Sequence, residues 1–153
     1  MIFPIIVLLI PIISAVAQAP HESSIDSTGT VAIHVTGFRN DSGLARIALY
    51  RGEKGFPNDS DKASWKKACT IDRDEVRIHV DGVEYGTYAV SVYHDANNNG
   101  TLDRKWRIIP AEGFGSSNNI REEKRKPSFQ ESSFTVGTDS TYITIEIEYL
   151  FDE

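Results

Sequence analysis

Residues 94–103 read His94-Asp95-Ala96-Asn97-Asn98-Asn99-Gly100-Thr101-Leu102-Asp103. Asp95, Asn97 and Asn99 put oxygen-bearing side chains at alternate positions, Gly100 supplies a sharp turn, and Asp103 adds a further carboxylate. These match the first nine positions of an EF-hand-type calcium loop, with Thr101 placed to offer its backbone carbonyl. Calcium takes about six to eight oxygens, and this segment offers about five. Trp106 stands where a bidentate Glu would close the loop. Glu112, in the next loop, is the candidate for the late ligand. The expected metal set is therefore Asp95, Asn97, Asn99, Thr101, Asp103 and Glu112, holding a structural Ca2+ ion weakly, as extracellular modules do. The competing reading is a hairpin loop whose Asn and Asp side chains bond their own backbone, with Gly100 at positive φ. Only the metal reading explains why oxygen ligands recur at alternate positions up to Asp103.

The same stretch admits a second chemistry. His94 beside Asp95, with Glu112 nearby, could form a hydrolase site, provided the three converge in a pocket. The simpler role for such a His is a hydrogen bond that fixes a loop. Other catalytic templates fail. Gly113-Phe114-Gly115-Ser116-Ser117 has the wrong order for a nucleophile elbow. There is no phosphate-binding loop, dinucleotide fingerprint or zinc-protease helix. His21, His34 and His79 show no metal-ligand spacing. Arg104-Lys105-Trp106-Arg107 could take an anion or a sugar by charge and stacking; the alternative is an exposed edge with Trp106 folded onto a sheet. The candidates for ligand contact are Trp65, His94, Trp106 and Phe114.

The chain as a whole limits what can surround these residues. Its 153 residues suit one domain. Met1 to Ala19 carries no charged side chain, and residues 2–13 are apolar apart from Pro4 and Pro11. Ala15 and Ala17 then form a small-x-small site, which reads as a secretory signal peptide cut after Ala17. The basic residues that usually precede such a run are missing, which leaves an uncleaved anchor as the alternative. No Cys follows the run, so a lipoprotein attachment site is absent. The expected organisation is a signal peptide over 1–17, a flexible lead-in over 18–29 and a single domain over 30–150, secreted or periplasmic. A net charge of −6 argues against nucleic acid as a partner. Cys69, the only cysteine, cannot form an internal disulfide.

The elements that must position the candidates read as short strands. Val31, Ile33 and Val35, then Ala45, Ile47 and Leu49, alternate with polar neighbours and suggest a hairpin across Arg39–Gly43. Arg51 to Thr70 reads as a long loop pinned by Phe56 and Trp65, with one helical turn at Ser64–Ala68. Val76, Ile78 and Val80 make a strand ending at Asp81-Gly82. Tyr88, Val90, Val92 and His94 line one face of the strand that runs into the acidic loop. Ala111 to Asn119 reads as a loop, and Phe129–Val136 and Tyr142–Tyr149 as the last strands. The fold class expected is all-β, an antiparallel sandwich of about seven strands. A Gly-x-Tyr strand running into an Asp-x-Asn-x-Asn-Gly-x-x-Asp loop is also similar to transthyretin-like modules of bacterial surface proteins, and that resemblance implies a transthyretin-like Greek key.

Several pieces taken together carry a resemblance. Gly86-x-Tyr88-x-Val90-x-Val92-x-His94-Asp95-x-Asn97-x-Asn99-Gly100-x-x-Asp103 is followed by Ile109-Pro110-x-Glu112-Gly113-Phe114-Gly115-x-Ser117-Asn118-Asn119. Gly43, the Gly55-Phe56-Pro57 triplet and the Pro127–Phe134 segment fit the same pattern. Across Val31 to Tyr149 the chain resembles the exported bacterial family known as domain of unknown function 2141. That resemblance implies a secreted or periplasmic β-sandwich and no established activity. Arg104–Arg107 departs from it, since a more neutral aromatic-Gly segment is expected there. The resulting expectation is a non-enzymatic envelope module that binds a glycan or a protein through three loops at one end: Gly55–Trp65, Asn97–Trp106 and Gly113–Asn119.

Overall fold

The computed structural model describes residues 27–121 and 125–151; the expected signal peptide and most of the lead-in lie outside them. The described chain is mostly β-strand with one short α-helix. Its elements are β1 (Thr28–Thr36), β2 (Leu44–Tyr50), β3 (Trp65–Cys69), β4 (Glu75–Glu84), β5 (Gly86–Asp95), β6 (Arg104–Lys105), β7 (Ile109–Pro110), β8 (Phe114–Ser116), α1 (Phe129–Ser132), β9 (Phe134–Val136) and β10 (Ser140–Glu146). One sheet runs β10-β1-β4. The other runs β3-β2-β5-β8, with β9 also pairing to β5. β6 and β7 form a small hairpin.

Period-two alternation builds the core. Val31, Ile33 and Val35 of β1 are buried, as are Ala45, Ile47 and Leu49 of β2 and Tyr88, Val90 and Val92 of β5. They join Val76 and Val80 of β4, Val136 of β9 and Ile145 of β10 in one hydrophobic cluster fed by both sheets. Each buried aliphatic side chain contributes roughly 1.5–3 kcal/mol.

Several local expectations need correction. β1 and β2 do not form a hairpin. β1 pairs with β4 and β10, and β2 with β3 and β5, so the Gly37–Gly43 connection passes from one sheet to the other. The pairing of β1 with β10 is parallel, which a purely antiparallel arrangement does not include. Ser64–Ala68 is not a helical turn. Trp65–Cys69 pairs along β2, from Leu49↔Trp65 to Ala45↔Cys69, and an isolated turn of helix has no comparable set of bonds. β4 runs through Asp81-Gly82 to Glu84, with an irregular register opposite Gly29–Val31. Phe114–Ser116 is a strand because β5 offers it a free edge. Phe129–Val136 divides into α1 and β9. A capping box between Ser128 and Glu131 starts the helix, and this Ser-x-x-Glu signal was legible in the sequence.

Candidate functional site

Successive side chains on a strand point to opposite faces, so β5 separates His94 from Asp95. His94 faces the core and is 2% exposed. Its Nε2 lies 2.7 Å from the Ser42 carbonyl, which can only accept, so Nε2 carries the proton. Nδ1, 2.7 Å from the Tyr149 hydroxyl, then accepts from that hydroxyl. The Tyr149 oxygen in turn accepts from the Arg39 backbone N–H at 3.1 Å. The edges of Phe38 and Tyr149 close around the ring. With both nitrogens engaged and no exposed edge, His94 is a structural residue that ties β5 to the β1–β2 connection and to the C-terminal segment. It cannot act as a base, nor touch a ligand as expected. The convergence of His94, Asp95 and Glu112 that a hydrolase needs is not formed.

Asp95 is completely buried at the start of the acidic loop. Its Oδ2 accepts from Arg46 Nε at 2.5 Å and from the Gly100 N–H at 2.9 Å, and its Oδ1 accepts from the Asn99 N–H at 2.9 Å. Burial raises the Asp95 carboxyl pKa, but Arg46 and the two amides outweigh it and hold the carboxyl below its ordinary value. Arg46 also reaches the Asn98 side-chain oxygen at 3.2 Å. β2 presents Arg46 beside this strand end because Leu44 pairs with Asp95 and Arg46 with Tyr93. Gly43 makes that approach feasible. At φ +70° it lies so close to the Asp95–Ala96 backbone that any Cβ would collide with it.

The rest of the loop is knitted to itself. Asn97 Oδ1 accepts from the Asn99 N–H, and Asn99 Oδ1 from the Thr101 N–H and hydroxyl. The side-chain amides of Asn97 and Asn99 both donate to the Asp103 carboxylate. Glu112 arrives from the following loop, as expected of a late ligand, but spends its two oxygens on the Ala96 and Asp103 backbone N–H groups, each at 3.0 Å. Tyr93 braces the far side, its hydroxyl donating to the Gly100 carbonyl at 2.9 Å. Of the six expected metal ligands, the side chains of Asn97, Asn99 and Asp103 are therefore joined to one another, and Thr101 is joined to Asn99 through its N–H and hydroxyl. Asp95 and Glu112 are turned towards protein donors, and the cation beside Asp95 is Arg46. The fit to a six-oxygen calcium cage is partial.

Beside the loop, the outer face of the second sheet carries a groove of about 590 Å3. Ala48, Ser91 and Tyr93 lie along its floor. Pro57, Asn58 and Asp61 of the β2–β3 connection stand on one side and Gly100, Leu102 and Arg104 on the other. The β2–β3 connection is held down by its Pro57 carbonyl, which accepts from the Ser91 and Tyr50 hydroxyls at 3.0 and 3.3 Å. Phe56 pins it further, edge-on to Tyr50 and to Phe129 of α1. The groove continues into an apolar annex of about 280 Å3 bordered by Leu102, Ile109, Pro110 and Phe114. The three loops expected to cluster at one end thus meet over a sheet face.

A family model described as an uncharacterised protein conserved in bacteria, DUF2141, matches residues 33–144. The chain belongs to the DUF2141 family. The match spans both sheets, the acidic loop and the groove of this DUF2141 protein. No curated protein and no solved structure matches the chain.

Of the expected ligand contacts in the DUF2141 chain, only Phe114 borders the groove system. Trp65 is half-buried and packs on the core from β3, because its side of that strand faces inward. Trp106 is not folded onto a sheet. It is 74% exposed at the β6–β7 turn, with the Phe151 ring beside it. Sequence reasoning missed Arg46, Ser91, Tyr93 and Tyr149. The first three alternate with the core residues of β2 and β5, so the period-two pattern that located the core also marked the groove floor. Tyr149 follows Ile143, Ile145 and Ile147 in the same alternation, which marked it as inward-facing but not its bond to His94, since that joins sequence-distant segments.

Proposed function

We propose that this protein is an exported, non-enzymatic β-sandwich module of transthyretin-like build, whose groove on the second sheet binds an envelope glycan. The observation that carries this reading is the convergence of the loops over the Ser91–Tyr93 floor. The groove is long and open, offers hydroxyl, amide and guanidinium groups, and leads to an apolar annex, a mixture suited to a saccharide's polar edges and apolar faces. Two further features support a binding role over a catalytic one. The loop carboxylates are committed: Asp95 to Arg46 and two backbone amides, Glu112 to two backbone amides and Asp103 to the Asn97 and Asn99 side chains. His94 is sealed in the core. Ala68 is exposed in β3 and borders the groove without making a side-chain hydrogen bond, so Ala68→Trp fills the groove while sparing the network. Glycan-array binding of the native chain and at least a tenfold loss in Ala68→Trp are the expected results. Equal binding by both chains would sink the assignment of the groove.

A second reading, a weak calcium site on Asn97, Asn99, Thr101 and Asp103, is favoured by one observation. Among the described residues the Asp103 carboxylate has only amide donors and no cationic partner. Turning those amides presents oxygen to an ion in exchange for their bonds to the Asn99 N–H and to Thr101. The expected outcome is a rise in melting temperature at millimolar calcium that Asp103→Asn abolishes. If the melting temperature does not move, Arg46 is the loop's only cation.

A further inference from the structure

We infer that the β6–β7 hairpin is a membrane-contacting tip that seats on an anionic phospholipid surface. Lys105 pairs with Ile109 across a three-residue loop, within which the Ile108 N–H donates to the Lys105 carbonyl at 3.2 Å and closes a β-turn with Trp106 and Arg107 at its centre. Both turn residues are left-handed, Trp106 at φ +50° and Arg107 at φ +63°. That geometry is normally supplied by Asn-Gly, and bulky side chains are disfavoured in it. A strained turn that nonetheless carries Trp and Arg calls for an account outside the fold.

The turn displays its side chains rather than burying them. Trp106 is 74% exposed and Ile108 is 76% exposed, and they are two of the three exposed large hydrophobic residues among those described. Three cations surround them: Arg104, Lys105 and Arg107. None has a carboxylate partner among the described residues, and Lys105 instead lies 4.3 Å above the Phe151 ring, which also backs Trp106. Asp103, the acidic residue beside the hairpin among those described, is held inward by the Asn97 and Asn99 amides. In a chain of net charge −6 the described residues of the tip, Arg104, Lys105 and Arg107, form a local cluster of positive charge, complementary to acidic headgroups. The apolar pair distinguishes this surface from a simple polyanion site. Trp settles at headgroup depth, and Ile gains only where it leaves water for acyl chain.

The test uses the full chain in a Trp65→Phe background, so that Trp106 is the sole tryptophan, with vesicles of phosphatidylglycerol and phosphatidylcholine. Trp106 emission is expected to shift to the blue, to be quenched by brominated acyl chains and to be shielded from aqueous iodide. The shift should be absent on pure phosphatidylcholine and reversed by about 0.5 M salt. Trp106→Ser with Ile108→Ser is expected to lower partitioning of the tip at least tenfold. Each neutralised cation should lower it about fivefold. The inference is overturned if Trp106 stays open to iodide on phosphatidylglycerol vesicles, including where the chain is held there by its apolar N-terminal segment. It is equally overturned if a soluble polyanion, dextran sulfate, gives the same blue shift without lipid. The quenching pattern comes from the native tip, so it decides the matter even if the double Ser variant folds poorly.

Discussion

Asp95 is the residue on which most of the loop depends. It has no contact with water, and three donors converge on it. Removing it leaves Arg46 Nε and the Gly100 N–H without an acceptor, while the Asn99 N–H keeps Asn97 Oδ1 and Arg46 keeps Asn98. Because Arg46 is part-exposed and can turn to solvent, Asp95→Ala is expected to cost about 2–3 kcal/mol at neutral pH, below the full penalty for a sealed pair. Urea denaturation measures it. The pH dependence follows from the depressed pKa of the folded carboxyl. The stabilisation is complete above the unfolded value, near 3.9, and is lost as pH falls through the folded one. The gap between native chain and Asp95→Ala should therefore narrow as the medium is taken below about pH 4; an unchanged gap would mean that the ion pair is not its source. Asp61, Glu75 and Glu131 are also held low, by Lys66, Arg77 and Arg125, but these are exposed pairs and add little. At this scale the sequence was partly legible. The alternation Asp95, Asn97, Asn99 marked a loop rich in oxygen acceptors. Whether those acceptors meet a metal or an arginine depends on Arg46, whose place beside Asp95 is set by strand register and leaves no local trace.

At the scale of elements, the β2–β3 connection shows how a loop becomes a wall. Phe56 stands edge-on to Tyr50 at 5.3 Å and to Phe129 at 6.0 Å, forming a small aromatic cluster on the far side of the second sheet from the main core. Phe56→Ala is expected to cost about 2–3 kcal/mol and to weaken ligand binding in the groove at the same time, since Pro57 would lose its seat. Thermal melting together with the binding assay checks the pair of effects; a stability loss with binding intact would separate the wall from the groove. The sequence marked Phe56 as a pin correctly. It marked Trp65 equally, yet Trp65 belongs to β3 and the core. Aromatic residues in a long loop look alike until pairing partners are known, and the partner of Trp65 is Leu49. The hairpin expected from β1 and β2 failed for a related reason. Alternation identifies strands but not which sheet each joins.

For the whole molecule, the distribution of charge matters more than its sum. The chain is acidic, yet the groove is lined by Arg46, Lys66, Lys67 and Arg104 against a single carboxylate, Asp61. Lys66 is engaged by that carboxylate at 2.6 Å, while Lys67 and Arg104 have no carboxylate partner among the described residues. Formal charge therefore excludes nucleic acid less firmly than it locates the acidic residues away from the groove. The strand-rich class and the family were readable from alternation and from the combined glycine and asparagine pattern. The groove was not, because it arises where three segments far apart in sequence meet on one sheet face.

The parallel pairing of β1 with β10 has a consequence for the order in which the protein can be made. β1 is the central strand of its sheet, and one of its two neighbours is the last strand of the described chain. A polypeptide that emerges N-terminus first, from a ribosome or through a membrane pore, keeps Val31, Ile33 and Val35 on an open edge until Ser140–Glu146 has followed. Contacts of such sequence separation close slowly, and the loop entropy must be met before they form. The first sheet is therefore completed only when Ser140–Glu146 is delivered, and until then β1 lacks one of its two partner strands.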